Sequence, residues 1–187
     1  MGEAGDTLDC MKGLLVVVSG LPATGKSTLA TGLAERLEAL VLSRDHARQD
    51  ITGPMVAMDR PFTRLFGRYR RGLQQEASRR LERAVAEELA HGRPAVVEVV
   101  AERDIRQRLE ALAEKHGAQI CWIEVICGDP AELARRLGER RGNWRRIVAR
   151  MARTYTPASG ALVVDSSRMA PAEMVNQAMS HVCPSAG

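Results

Sequence analysis

The stretch LLVVVSGLPATGKSTLATGLAERL, residues 14–37, decides the fold of this chain. The apolar and β-branched residues at 14–19 predict a buried strand, and the pattern that follows the glycines predicts an amphipathic helix at 27–38. Between these elements the pattern G-x-x-x-x-G-K-S is carried by Gly20, Gly25, Lys26 and Ser27. A strand that leads through such a loop into a helix is the setting in which this pattern binds phosphate.

Each residue type in this loop has a physical reason. Glycines allow the backbone to curl so that successive N–H groups point at a phosphate, and the start of the helix adds partial positive charge. Lys26 is suited to reach the β- and γ-phosphates of ATP, and the Ser27 hydroxyl is suited to ligate Mg²⁺. We therefore predict that the nucleotide binds to Gly20, Leu21, Pro22, Ala23, Thr24, Gly25, Lys26, Ser27 and Thr28.

The composition is that of an ordinary folded protein. At 187 residues the chain has the size of one α/β domain, and we expect a loose tail at 1–11 followed by a single domain at 12–187. The longest apolar run, at 14–18, is too short to span a membrane, and no signal peptide precedes it, so we expect a cytoplasmic protein. The four cysteines form no C-x-x-C pair and are expected to be reduced, mostly buried thiols.

Apolar β-branched runs alternate with amphipathic helical patterns along the chain. The predicted strands lie at 14–19, 39–43, 95–100, 119–126 and 161–165. The predicted helices lie at 27–38, 63–91, 103–116, 129–137, 143–153 and 170–182, and loops are predicted at 52–61 and 138–143. This alternation predicts a three-layer α/β fold, a five-stranded parallel sheet with helices on both faces.

An acidic residue follows the second predicted strand. The string LSRDHAR places Asp45 at the carboxyl edge of the sheet, where open α/β folds bind ligands and where the phosphate loop also lies. A carboxylate here can orient an acceptor hydroxyl and take its proton, and Arg48 can hold a polar or anionic group of the acceptor if the segment is helical. Position alone leaves a second interpretation open, in which Asp45 only caps a helix.

Positive charge is concentrated in the arginine segment, residues 135–153. This segment contains eight arginines and one glutamate, whereas the whole chain has a net charge of +4. Such a field suits the capture of an anionic ligand. A solvated helix face is the plainer interpretation of a charge run taken alone.

The string GLPATGKST, followed by SRDHAR, a helical insertion and the arginine segment, resembles the 5′-hydroxyl polynucleotide kinase group and its small AAA-type ATP-binding relatives. The resemblance covers residues 13–182. It implies a P-loop NTPase fold with an arginine-rich lid, phosphoryl transfer as the reaction, and ATP and Mg²⁺ as cofactors.

The resemblance also implies roles for single residues. Asp45, within Arg44-Asp45-His46-Ala47-Arg48, corresponds to the general base, and the flanking Arg44 and Arg48 correspond to acceptor-binding residues. Arg136 and Arg140 correspond to the lid pair that closes over the transferring phosphate.

The chain departs from this group at the end of the third strand. Relatives carry an aspartate followed by a small hydroxyl residue, whereas this chain has Glu98, Val99 and Val100. The resemblance leaves two roles for Glu98: it orders water bound to Mg²⁺, or it contacts the acceptor.

The sequence leaves the acceptor open. Residues 60–71, RPFTRLFGRYRR, place arginines and aromatics on two helical stripes, which suits either a grip on single-stranded nucleic acid or ordinary packing. The leading interpretation is an ATP- and Mg²⁺-dependent kinase that phosphorylates a hydroxyl of a small molecule such as a sugar, nucleoside or antibiotic. A kinase for the 5′-hydroxyl of a nucleic-acid end and a nucleotide-dependent regulatory ATPase are the alternatives.

Overall fold

Five parallel strands form the centre of the structure. The computed structural model describes residues 13–52, 64–100, 103–139, 143–153 and 155–183. Its strands are β1 (Leu14–Ser19), β2 (Leu40–Ser43), β3 (Ala95–Glu98), β4 (Gln119–Ile126) and β5 (Leu162–Asp165). They form one parallel sheet in the order β2-β3-β1-β4-β5, so β1 lies in the middle between β3 and β4.

Helices connect these strands and cover both faces of the sheet. Within the described residues they are α1 (Lys26–Leu37), α2 (Arg44–Thr52), α3 (Arg64–Ala90), α4 (Arg103–His116), α5 (Pro130–Gly138), α6 (Trp144–Ala152) and α7 (Pro171–Val182). Because β1 is covered on both faces, its sequence is a continuous apolar run rather than an alternation, and each of its residues from Leu14 to Ser19 is fully buried.

Successive side chains of β1 enter two separate cores. Val16 and Val18 pack on the face that α1 and α7 cover, where Leu29 and Leu33 of α1 are fully buried. Leu15 and Val17 pack on the opposite face with residues of α3 and α4 such as Val85 and Leu109. Because β1 is packed on both faces, the loop that follows it begins from a fixed position.

The predicted architecture is confirmed. The five predicted strands and six predicted helices are present, with bounds within two residues of those expected. The polar helix α2, RDHARQDIT, is additional, because it has no apolar periodicity by which the sequence would reveal it. The predicted tail at 1–11 and most of the predicted loops at 52–61 and 138–143 lie outside the described residues.

The cysteines only partly follow the expectation of reduced thiols. Cys121 is a buried free thiol and Cys127 is a partly buried one. Cys183, at the end of α7, is disulfide-bonded, so the expectation was wrong for this residue. Among the helices of the described residues, none combines the length and the apolar character that a membrane span requires.

Candidate functional site

The phosphate loop links β1 to α1 in a backbone conformation that requires glycine at two positions. Gly20 has a φ of 144°, and a Cβ atom at this position would lie 2.3 Å from the carbonyl oxygen of Val125 in β4. Gly25 precedes α1 with a φ of 98°, and a Cβ atom there would lie 3.2 Å from the Cβ of Ser166. The loop is thus enclosed by the ends of β4 and β5.

Lys26 is held against the loop that it follows. Its side chain is buried, and its Nζ donates a hydrogen bond to the carbonyl oxygen of Leu21 at 2.8 Å. The hydroxyl of Thr24 donates to the same oxygen at 2.9 Å. A buried ammonium beside backbone N–H groups at the start of α1 creates a local positive potential, which suits a bound phosphate.

Ser27 and Glu98 meet at the carboxyl edge of the sheet. The Ser27 hydroxyl donates to Oε1 of Glu98 at 2.8 Å. Glu98 ends β3 and is aligned with Val18 of β1 on one side and Ser43 of β2 on the other. A hydroxyl and a carboxylate oxygen beside a phosphate loop are the hard oxygen donors that Mg²⁺ prefers, so these residues fit a magnesium ion.

Asp45 lies in the first turn of α2, just beyond the end of β2. The cap of this helix is Ser43, because its Oγ accepts a hydrogen bond from the His46 N–H at 3.0 Å. The Asp45 carboxylate is 77% exposed and forms an ion pair of 3.5 Å with Arg48. The interpretation in which Asp45 only caps the helix is therefore wrong, and its carboxylate is available at the sheet edge.

Hydrogen bonds at the ends of β4 and β5 position α5. Oδ1 of Asp165 accepts from the Gly128 N–H at 2.9 Å and from the hydroxyl of Ser167 at 2.6 Å. The Gly128 hydrogen bond is the main reason that the pKa of Asp165 is lowered. Asp129 then caps α5 by accepting from the Ala131 N–H at 2.8 Å.

Arg136 of α5 is bonded to the phosphate loop through one serine. Its Nη1 donates to Oγ of Ser166 at 2.8 Å, and its Nη2 donates to the Ser166 carbonyl at 3.1 Å. The Ser166 hydroxyl in turn donates to the carbonyl oxygen of Thr24 at 2.6 Å. The structure thus brings Arg136 to the loop, whereas its predicted partner Arg140 lies outside the described residues.

A carboxylate orients this arginine from the other side. Oε1 of Glu132 accepts from Nε of Arg136 and from Nη2 of Arg135, both at 2.7 Å. These hydrogen bonds, the one from Arg135 above all, lower the pKa of Glu132 to about 2. The glutamate therefore stays ionised and keeps the guanidinium of Arg136 turned towards Ser166.

A cleft of about 510 Å³ opens beside the phosphate loop. It is lined by Ala23, Gly25, Lys26, Ser27, Thr28, Arg136, Glu139, Ser166, Met169, Pro171 and Met174. Its polar end is the loop, and its apolar end is the start of α7. Asp45, Arg48 and Glu98 do not line this cleft, although Glu98 is hydrogen-bonded to Ser27, which does.

Several residues that complete this arrangement were not predicted from the sequence. Ser43, Glu132 and Ser166 are polar residues without a motif. Ser43 and Glu132 accept hydrogen bonds from residues three or four positions later, whereas Ser166 donates to Thr24, which is distant in the sequence. Glu124 is different, because a carboxylate inside the apolar run QICWIEVI is visible as an exception to the strand pattern.

This geometry defines a class. A phosphate loop between the central strand of a parallel sheet and a helix packed on that sheet is characteristic of P-loop nucleotide-binding proteins. Within that class, the chain belongs to the family described as AAA domain, because the family model matches residues 15–166, which is more than half of the chain. No curated protein sequence matches it.

Solved structures of P-loop kinases share the fold. A sugar kinase from Janibacter sp. HTCC2649 is 16% identical, with a TM-score of 0.66 and coverage of 92% of this chain and 96% of that one. A gluconokinase from Sinorhizobium meliloti 1021 is 21% identical, with a TM-score of 0.63 and coverage of 94% and 95%. The APS kinase CysC of Mycobacterium tuberculosis, in complex with AMPPNP and APS, is 18% identical, with a TM-score of 0.61 and coverage of 91% and 95%.

The predicted P-loop NTPase fold is therefore confirmed. The resemblance that the sequence suggested is confirmed at the level of the AAA domain family and the P-loop kinase fold. The narrower resemblance to 5′-hydroxyl polynucleotide kinases stays a prediction.

We predict that Gly20→Ala lowers the free energy of unfolding by about 2 kcal/mol or more, because its Cβ would collide with a backbone carbonyl that has little freedom to move. Gly92→Ala is the matched control, since Gly92 also has a positive φ but has no atom within 4 Å of the position that an added methyl group would take. Urea unfolding of both variants measures the difference. Equal losses in the two variants would contradict a steric requirement at Gly20.

The lowered pKa of Glu132 predicts a pH dependence of stability. Its folded pKa of about 2 lies below the ordinary value of 4.5, so its contribution is fully present above that value and is lost as the pH falls from 4.5 towards about 2. The difference in Tm between the wild type and Glu132→Gln should therefore shrink between about pH 6 and about pH 3. If the difference in Tm stays constant over this pH range, the ion pairs of Glu132 do not contribute to the stability of the fold.

Proposed function

We propose that this protein is an ATP- and Mg²⁺-dependent kinase that transfers the γ-phosphate of ATP to a hydroxyl of a small molecule of the sugar, nucleoside or antibiotic type. The observation that carries the proposal is the hydrogen bond between Ser27 and Glu98 at the end of the phosphate loop. It joins a loop built for phosphates to the sheet edge on which Asp45 offers a carboxylate.

The nucleotide side of the site is the phosphate loop and the cleft beside it. Backbone N–H groups of the loop and the ammonium of Lys26 bind the β- and γ-phosphates. Met169, Pro171 and Met174 form an apolar wall at the far end of the cleft, which suits the base of the nucleotide. Arg136 lies between these two regions.

Ser27 and Glu98 would hold the magnesium ion, Ser27 directly and Glu98 through a bound water. When bound, the ion would neutralise part of the negative charge on the phosphates during transfer. Glu98 thereby takes the role of the aspartate that relatives carry at this point, and its longer side chain reaches Ser27 from the last residue of β3.

The acceptor side of the site is the start of α2. Because Ser43 caps the helix, the Asp45 carboxylate is available to accept the proton of the attacking hydroxyl. Arg48, paired with Asp45 at 3.5 Å, orients this carboxylate and, with Arg44, supplies donors to polar groups of the acceptor.

Arginines supply the remaining charge stabilisation. Arg136 is directed at the loop by Glu132 and Ser166, so its guanidinium is positioned before the nucleotide binds. Arg140 is proposed as the second arginine, which stabilises the charge on the transferring γ-phosphate.

The named relatives support a small acceptor. The structural neighbours described as a sugar kinase, a gluconokinase and an APS kinase cover more than nine-tenths of this chain. A nucleic-acid end as acceptor stays a prediction from the sequence, because most side chains of the basic stripe at 60–71 lie outside the described part of the chain.

Lys26→Ala should reduce phosphoryl transfer by about a hundredfold or more, because the ammonium that contacts the β- and γ-phosphates is lost. Radiolabelled ATP and a panel of sugars, nucleosides, aminoglycosides and 5′-hydroxyl oligonucleotides provide the assay. Lys115→Ala, which changes an exposed lysine of α4, is the control and should transfer phosphate at the wild-type rate. Unimpaired transfer in folded Lys26→Ala would remove the basis of the proposal.

Asp45→Asn should lower kcat by about 10²- to 10⁴-fold while nucleotide affinity stays the same, because the amide cannot accept the hydroxyl proton. Asp50→Asn changes an exposed aspartate on the same helix and should leave kcat unaltered. If Asp45→Asn keeps the full rate of ATP turnover with every acceptor of the panel, the regulatory ATPase becomes the better assignment.

A further inference from the structure

Glu124 is a buried carboxylate that the proposed chemistry does not use. It lies near the end of β4 and is 2% exposed. Its Oε2 accepts hydrogen bonds from the hydroxyl of Ser19, at 2.6 Å, and from the hydroxyl of Tyr155. These three residues form a bridge, which we call the Glu124 bridge, between β1, β4 and the chain that follows α6.

An acidic residue at this position is costly. Among the described residues Glu124 forms no ion pair, and a buried carboxylate in that setting requires hydrogen bonds to offset the loss of hydration, so an apolar side chain would suit the strand better. Such exceptions to the pattern of an element are expected at functional or strained positions. The bridge also ends at Ser19, the residue immediately before Gly20 of the phosphate loop.

Tyr155 connects the bridge to the arginine segment. It comes two residues after the end of that segment, and its backbone N–H donates to the carbonyl of Met151 in α6 at 2.9 Å. Burial, together with the hydrogen bond to Glu124, raises the pKa of Tyr155, so the phenol keeps the proton that it donates.

Arg106 of α4 holds the same stretch of chain from another side. Its guanidinium donates to the carbonyl oxygens of Thr156 and Pro157. The guanidinium also lies over the ring of Trp122, 5.6 Å from its centroid. The chain after α6 is therefore fixed by side chains of both β4 and α4.

Hydrogen bonds thus connect the arginine segment and the chain after it to the phosphate loop at two points. Near the start of the segment, Arg136 binds Ser166, which binds the Thr24 carbonyl inside the loop. After its end, Tyr155 binds Glu124, which binds Ser19 at the entrance to the loop. One anchor thus lies on α5 and the other lies just after α6, and groups held by such contacts keep a defined position relative to the loop.

We propose that Glu124 and Tyr155 are positioning residues that fix α6 relative to the phosphate loop and so set the distance between the loop and the arginines of this helix. This inference rests on the proposed kinase function. It differs from ordinary core packing because loss of the bridge should loosen α6 locally and lower kcat, whereas loss of packing lowers the stability of the whole fold.

Tyr155→Phe tests the proposal, because it removes one hydroxyl and keeps the ring. Amide hydrogen exchange in α6 should become about tenfold faster, while exchange in β1 and β4 stays as in the wild type. The kcat should fall about tenfold with the KM for ATP within about twofold, because the loop contacts to the nucleotide remain. If α6 exchanges at the wild-type rate in this variant, or if kcat is unchanged, the proposal is overturned.

Two further variants separate positioning from general stability. Glu124→Gln keeps an oxygen that can accept hydrogen bonds from both hydroxyls, so hydrogen exchange in α6 and kcat should stay within about twofold of the wild type. Glu124→Leu removes this acceptor and should have the same effects as Tyr155→Phe. Glu88→Gln is the stability control, because Glu88 is also buried but pairs with Arg93 ahead of β3, away from the loop. Loosening of α6 in Glu88→Gln would overturn the proposal.

Arg106→Gln provides an independent measurement, since it releases the carbonyls of Thr156 and Pro157 and removes no hydrogen bond of the Glu124 bridge. It should also make amide hydrogen exchange in α6 faster, and exchange at the wild-type rate would contradict a fixed anchor.

Failure of the kinase assignment looks different from failure of this inference. A wild type that transfers no phosphate, combined with faster α6 exchange in Tyr155→Phe, supports the anchor and overturns the kinase.

Discussion

The close approach of the phosphate loop to the end of β4 is the constraint on which the site depends. Gly20 lies so near the Val125 carbonyl that no side chain fits, and this contact sets the height of the loop relative to the sheet. Ser166 fills the space beside Gly25 and closes the loop on its other side. These contacts position the start of α1, with Lys26 and Ser27, before any ligand is bound.

The fold and the loop could be predicted because their causes are local in the sequence. Strands that are buried on both faces appear as continuous apolar runs, and in amphipathic helices the apolar residues recur every three to four positions. The positive φ at Gly20 and Gly25 favours glycine, which is easily recognised in a sequence. The short polar helix α2 has none of these signals. Its cap was also ambiguous, because Ser43 and Asp45 are both good capping residues and only the backbone decides between them.

The rest of the site depends on contacts between residues far apart in the chain. Ser166 reaches Thr24, and Tyr155 reaches Glu124, through single hydroxyl groups that belong to no periodic pattern. The charge run from 135 to 153 did not by itself reveal which arginine contacts the loop, although the resemblance pointed to Arg136 as one of the lid pair. That choice follows from Glu132, whose shared hydrogen bonds orient Arg136 while Arg135 stays at the surface.

The alignment of Glu98 between Val18 and Ser43 has an evolutionary consequence. Several groups proposed to hold the nucleotide belong to the tight turn after the central strand, where Gly20 and Gly25 leave no room for a side chain. The groups proposed to meet the acceptor belong mainly to the short polar helix α2, which follows the edge strand β2 and packs on α3. Under the proposed function, substitutions in that helix could change the preferred acceptor while the phosphate loop keeps its conformation.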